Sequence, residues 1–77
     1  GLDRSYLYAI FKKALNMSPQ EFLIHYRLER AVELMRDPGL DIGDISRSVG
    51  YDDPLQFSRI FKKKKGVSPS VFRQSLL

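Results

Sequence analysis

Apolar residues recur along this chain at the spacing of amphipathic helices, and no segment shows the two-residue alternation of a β-strand. Over residues 3–15 the apolar positions follow the i, i+3, i+4, i+7 pattern of one helix face. A longer segment, 18–36, predicts a helix of about 28 Å. Its expected inward positions are Phe22, Tyr26, Ala31, Leu34 and Met35. The pattern therefore predicts an all-α fold.

Residues that favour helix ends stand at the boundaries of these segments. Ser18 followed by Pro19 and Glu21 predicts a helix start, with serine as N-cap, proline at the first helical position and glutamate as the capping-box partner. A second serine–proline pair, Ser68 and Pro69, opens the last predicted helix. Capping accounts fully for both serines, and we prefer it to a role as phosphate contacts.

The second half of the chain has the pattern of a helix-turn-helix. Asp41 is expected to cap a short helix that ends at Gly50, and Asp53 to cap a second helix that ends before Gly66. The expected inward residues are Ile42, Ile45, Val49, Tyr51, Phe57, Ile60 and Phe61. This arrangement commonly places a helix in a major groove, although many pairs of helices bind nothing.

Residues 10–22 are nearly repeated at 60–72, with seven identical pairs fifty positions apart. The repeat predicts two similar helical units. In the second unit, the face opposite the core carries Leu55, Arg59 and Lys62, flanked by Gln56 and Ser58. In the first, the corresponding face carries Ser5, Ala9 and Lys12, flanked by Tyr8. The short helix of the second unit has no counterpart in the first, which is therefore expected to be truncated.

The expected architecture is two helix-turn-helix subdomains joined by a long linker helix. Residues 1–17 are assigned to the recognition-helix part of the first unit, 18–37 to the linker helix, and 38–77 to the second unit with a terminal helix. Arg27 and Arg30 of the linker helix are expected to form surface ion pairs with Glu29, Glu33 or Asp44.

Composition narrows the function. A chain of 77 residues suits one small domain, and a net charge of +4 with a pI near 9.6 weakly favours a polyanionic partner. The basic run Lys62–Lys65 has an alternative explanation, a solvated last turn stabilised by the helix dipole. The absence of cysteine excludes a disulfide framework and a cysteine-ligated zinc, and fits the cytoplasm. No apolar stretch approaches the length of a membrane span.

An enzyme is not expected. His25 is the only histidine, and it stands within a helix without a nucleophile pattern nearby. Asp52 and Asp53 adjoin a helix start, where capping explains them better than metal binding. No glycine-rich phosphate loop is present, and we expect neither a metal nor another cofactor.

Two stretches resemble the AraC/XylS family of bacterial transcription regulators. They are DISRSVGYDDPLQFSRIFKKKKGVSPSVFR at 44–73 and LYAIFKKALNMSPQEF at 7–22, and the similarity extends over essentially the whole chain. The resemblance implies a DNA-binding domain whose two recognition helices enter successive major grooves on one DNA face. The predicted length of the linker helix is commensurate with the roughly 34 Å between those grooves.

The resemblance also implies roles for individual residues. The base-facing positions are Ser5, Tyr8 and Ala9 in the first unit and Leu55, Gln56 and Arg59 in the second. Arg59 suits bidentate contact with guanine; a phosphate contact or a surface salt bridge is the alternative. Gln56 either reads adenine or closes a capping box with Asp53. Ala9 and Leu55 offer only apolar contact. The residues expected to face phosphates are Lys12, Lys13, Lys62 and Lys63.

The partners that follow from the resemblance are double-stranded DNA, RNA polymerase and an effector-sensing or dimerising domain upstream of this chain. A helical protein–protein interaction module is the alternative from another class. It is disfavoured because the outward faces carry Lys12, Arg59, Lys62 and Lys63 instead of an apolar stripe.

Overall fold

Four helices make up the greater part of the protein that the structure, a computed structural model, describes: residue 9, residues 12–13 and residues 16–76. They are α1 (Pro19–Leu34), α2 (Ile42–Ser48), α3 (Pro54–Lys65) and α4 (Pro69–Ser75). Residues 9, 12 and 13 are also helical, and these described segments contain no strand. The all-α prediction is confirmed. Of the helix predicted over 3–15, the inward positions Leu7, Ile10, Phe11 and Ala14 lie outside the described residues.

The long helix α1 begins where its sequence signal stands. Ser18 Oγ accepts a hydrogen bond from the Glu21 N–H at 3.2 Å, and Pro19 occupies the first helical position. The predicted capping box was wrong in its second half, since the Glu21 side chain returns no bond to the Ser18 N–H. The helix ends at Leu34, two residues before the predicted limit, and Met35 is its C-cap.

A full capping box forms instead at α2. Asp41 accepts from the Asp44 N–H at 2.7 Å, and Asp44 accepts in return from the Asp41 N–H at 3.1 Å. The bond from the Asp41 N–H, followed by the nearby Arg47, lowers the pKa of the Asp44 carboxyl. At the start of α3, Asp53 accepts from the Leu55 N–H at 3.0 Å, as a capping aspartate should.

The internal repeat is visible in the backbone as well as in the sequence. Asn16 and Gly66, which are equivalent in the two copies, both have positive φ, 56° and 87° respectively. Ser18 and Ser68 are both N-caps with extended backbone, and each is followed by a proline at the first helical position. In both copies, therefore, a residue in the left-handed conformation stands two positions before the serine that begins the next helix.

The core lies between α1 and the second half of the chain. Its fully or nearly buried apolar residues are Leu28, Ala31, Met35, Ile45, Val49, Tyr51, Phe57 and Phe61. The rings of Phe57 and Phe61 lie 5.7 Å apart, and Phe72 of α4 meets Phe61 edge-on at 5.4 Å. This aromatic row joins α3 to α4 and holds α3 in place.

One predicted core position on α1 was wrong. Tyr26 is 60% exposed, whereas Leu28, absent from the prediction, is 1% exposed. The two residues are about 200° apart around the helix, so both cannot face the same side. Leu28 shares its side with Ala31 and Met35 at helical spacing, and the packing of α2 and α3 selects that side.

Tyr51 carries a buried hydroxyl that has no hydrogen-bond partner among the described residues. The Tyr51 ring packs 5.9 Å from that of Phe57, and its carbonyl accepts from the buried Ser46 hydroxyl at 2.7 Å. The ring and the backbone of this residue therefore stabilise the fold, while the phenol oxygen adds only a desolvation penalty.

We therefore expect Tyr51→Phe to leave the free energy of unfolding unchanged or to raise it by up to about 1 kcal/mol. Urea unfolding followed by circular dichroism measures the change. Tyr26→Phe, which removes a hydroxyl from an exposed ring, is the matched control and should have no effect. A clear loss of stability in Tyr51→Phe alone would show that the hydroxyl is hydrogen-bonded.

Candidate nucleic-acid interface

Helix α3 presents two opposite faces. Phe57 and Phe61 are fully buried and pack against the core. On the other side, Leu55 is 67% exposed, and Gln56 and Arg59 are exposed as well. The outer face of α3 therefore begins with one exposed apolar side chain and continues with polar and basic ones.

Arg59 forms no ion pair with any acid that the structure describes. The surface salt bridge considered as its alternative role gains no support, and the guanidinium is available for a ligand. Gln56 forms no capping box with Asp53, whose carboxylate binds the Leu55 N–H instead. The capping-box role considered for Gln56 from the sequence therefore gains no support.

The four lysines at the end of α3 are not equivalent. Lys62, Lys63 and Lys64 are exposed. Lys65 has a side chain only 24% exposed, and its Nζ donates to Glu29 Oε1 of α1 at 2.5 Å. This hydrogen bond lowers the pKa of the Glu29 carboxyl. The basic run therefore divides into a solvated part, which includes both lysines predicted to face phosphate, and one lysine held against the linker helix.

In the first unit, Ala9, Lys12 and Lys13 are helical and exposed, as their predicted roles at a DNA surface require. Ser5 and Tyr8, the other two residues assigned to that surface, lie outside the described residues. All the predicted contacts of the second unit are described, and Leu55, Gln56 and Arg59 share the first two turns of α3.

The partners of the charged residues on the linker helix differ in part from those predicted. Arg30 pairs with Glu33 at 2.7 Å, as expected. Arg27 pairs with no described carboxylate; its guanidinium lies over the Tyr51 ring, 5.1 Å from the centroid. Asp44 pairs with Arg47 at 3.0 Å and not with the linker arginines. The sequence prediction missed the Arg27–Tyr51 contact because it considered only opposite charges. It missed the Asp44–Arg47 pair because it sought partners only for the linker arginines.

Other chemistry is not indicated by the described part of the chain. His25 is exposed, and no three acidic or histidine residues there could hold a metal ion together. None of its helices is long and apolar enough to cross a bilayer. A short helix, a turn with a glycine at φ 104° and a second helix with a free outer face together define a helix-turn-helix domain of the DNA-binding class.

Known proteins identify the family. Residues 1–75 match the family model described as a helix-turn-helix domain. The chain is 47% identical over 76 residues to the Msm operon regulatory protein of Streptococcus mutans, covering 99% of this chain and 27% of that protein. It is 46% identical over 73 residues to the lactose operon transcription activator of Staphylococcus xylosus, covering 95% of this chain and 26% of that protein.

A crystal structure of a transcriptional regulator from Chromobacterium violaceum, of the AraC-type DNA-binding kind, has the same fold. It superposes with a TM-score of 0.89 at 26% identity, covering 96% of this chain and 66% of that one. The chain belongs to the AraC-type family of DNA-binding transcription regulators. It spans about a quarter of the length of the curated relatives it matches.

Proposed function

We propose that this domain binds promoter DNA through two successive major grooves, with α3 as the recognition helix of the second unit. The observation that carries the proposal is the division of α3 into a buried aromatic face and an exposed face bearing Leu55, Gln56 and Arg59. A helix anchored by Phe57 and Phe61 presents its outer residues to a groove without losing core packing.

Each outer residue of α3 has a chemical match on DNA. Arg59 donates two hydrogen bonds to guanine O6 and N7, and Gln56 pairs with adenine N6 and N7. Leu55 packs against a thymine methyl group. Lys62 and Lys63 neutralise phosphates, which contributes affinity and register but no base preference.

For the first unit, we assign base contact to Ser5, Tyr8 and Ala9 and phosphate contact to Lys12 and Lys13. The exposure of Ala9, Lys12 and Lys13 supports this assignment. Ala9 can give a thymine methyl group only an apolar contact. We therefore expect the first unit to be less selective than the second.

The whole protein would regulate transcription of an operon by recruiting RNA polymerase, in response to an effector-sensing or dimerising domain outside this chain. The named functions of the relatives support this proposal, since one is an operon regulatory protein and the other a lactose operon activator.

The test is selection of bound duplexes from a random pool at near-physiological salt. We expect a motif with two blocks about one helical turn apart. A single block would show that only one unit reads bases and would overturn the bipartite mode. No enrichment, together with binding that does not depend on salt, would favour the protein-interaction module instead.

A further inference from the structure

The linker helix is joined to the second unit by polar contacts at two points, about 9 Å apart along its axis. Near its middle, Glu29 accepts from Lys65 at the end of α3. At its C-terminal end, Arg73 of α4 donates through Nε to the Met35 carbonyl at 2.9 Å and through Nη2 to the Asp37 carbonyl at 2.5 Å. Each contact spans 36 or more residues of sequence, so neither results from local helix formation.

Lys65 is placed for this contact by the geometry of α3. It follows Phe61 by four residues and Phe57 by eight, so it continues the buried face of the helix. Lys62 and Lys63 instead follow Arg59 by three and four residues and continue the exposed face. A phosphate bound beside Arg59 would therefore meet Lys62 or Lys63, while Lys65 points toward α1.

Arg73 holds the other end of the linker. The two carbonyls belong to Met35, the C-cap of α1, and to Asp37, two residues beyond it, and a cation at this end also interacts favourably with the helix dipole. The guanidinium meets two carbonyls at once because its donors form a rigid planar fork. The end of α1 is thus held directly on α4, at two points.

The angle of α1 matters because a small tilt at one end of a long helix moves its other end by several ångströms. Its 16 residues correspond to about 24 Å. A tilt of about 8° at the end held by Arg73 moves the opposite end by about 3.4 Å, the rise of one base pair. Contacts that suppress such a tilt restrict where the first unit can meet DNA once the second is bound.

We propose that Lys65 and Arg73 are positioning residues, which hold the linker helix at one angle and thereby determine the spacing between the two DNA blocks that the protein accepts. The proposal rests on the bipartite function proposed above. It removes Lys65 from the DNA surface and gives the last residue of the lysine run a different role from its neighbours.

The test uses Lys65→Met in the intact protein, with duplexes whose two selected blocks are moved one base pair closer or farther apart. Affinity at the selected spacing should fall about two- to fivefold, while the shifted duplexes lose little, so the spacing preference flattens. The salt dependence of binding should not change. Lys64→Met, the same change at an exposed neighbour, is the matched control and should keep the spacing preference.

Two further variants separate positioning from a general loss of stability. Exchanging the charges, Glu29→Lys with Lys65→Glu, should restore the spacing preference that either single change reduces. Arg73→Lys should flatten the preference, because one ammonium group cannot reproduce the fork on both carbonyls.

Two results would overturn the assignment of Lys65. One is an unchanged spacing preference in Lys65→Met. The other is an equal loss on single-block and two-block duplexes with a salt slope lower by about 0.9, the result expected of a phosphate contact. A wild-type protein without any spacing preference would instead overturn the bipartite function itself.

Discussion

Replacing Arg59 by alanine is expected to cost about 1–3 kcal/mol of DNA-binding free energy and to remove base preference at one position of the binding site. The reason is that Arg59 is exposed on α3 and unpaired with any described acid, so its guanidinium donors are free for a guanine edge. Binding to the selected duplex and to its three single-base variants at each position measures both effects.

Arg59→Lys is the matched control, because it keeps the positive charge and loses the planar fork. If Arg59 reads guanine, the lysine variant should also lose the base preference while keeping the salt dependence of the wild type. If Arg59 only holds a phosphate, the alanine variant should weaken binding to all sequences equally, and lysine should restore most of the affinity.

The second large effect is expected at Gly50, in the turn that joins α2 to α3. Gly50→Ala should lower the free energy of unfolding by about 2–3 kcal/mol. Gly50 has φ 104°, which side chains rarely adopt, and an added Cβ would lie 3.1 Å from Arg27 Cζ. The substitution would therefore strain the backbone and also displace the guanidinium from the Tyr51 ring. Thermal and urea unfolding measure the loss.

Gly66→Ala separates these two causes. Gly66 also has a positive φ, 87°, but an added Cβ there meets no atom within 4 Å. Gly66→Ala should therefore lower the free energy of unfolding through backbone strain alone, by about 1–2 kcal/mol. A larger loss at Gly50 than at Gly66 would measure the crowding by Arg27. Equal losses would mean that Arg27 moves aside freely and contributes little to the stability of the turn.

The helix limits were predictable because their causes are local. Ser18, Asp53 and Gly66 each bond with a backbone group two to four residues away. Their positions in the sequence therefore located the helix ends directly. The buried face of α3 was predictable for a related reason. Phe57 and Phe61 are large, apolar and four residues apart, with polar residues opposite, so only one orientation buries them.

The buried face of α1 was not predictable in the same way. This helix has apolar side chains on more than one side: Leu23 and Tyr26 are exposed, whereas Leu28 and Ala31 are buried. Periodicity alone does not decide between such faces. The choice depends on the surface that α2 and α3 offer, which no spacing within α1 contains.

The partners of the basic side chains could not be predicted from the sequence either. By sequence, Lys65 is one of four equivalent lysines and Arg27 one of several surface arginines. In the structure, Lys65 binds Glu29 and Arg27 covers the Tyr51 ring, contacts that join residues 24 to 36 positions apart. Their partners are known only once the chain has folded.

The all-α fold and the ends of α1 and α3 followed from the sequence, because caps, turns and the aromatic spacing of α3 act over one or two helical turns. The DNA-binding class followed from the resemblance to a known family and not from these local signals. Only the packed helices show which side of the linker helix is buried, and that Lys65 binds Glu29 while Arg27 covers the Tyr51 ring. Those outcomes depend on the distance between atoms of different helices, and only the packing of α1 against α2, α3 and α4 sets that distance.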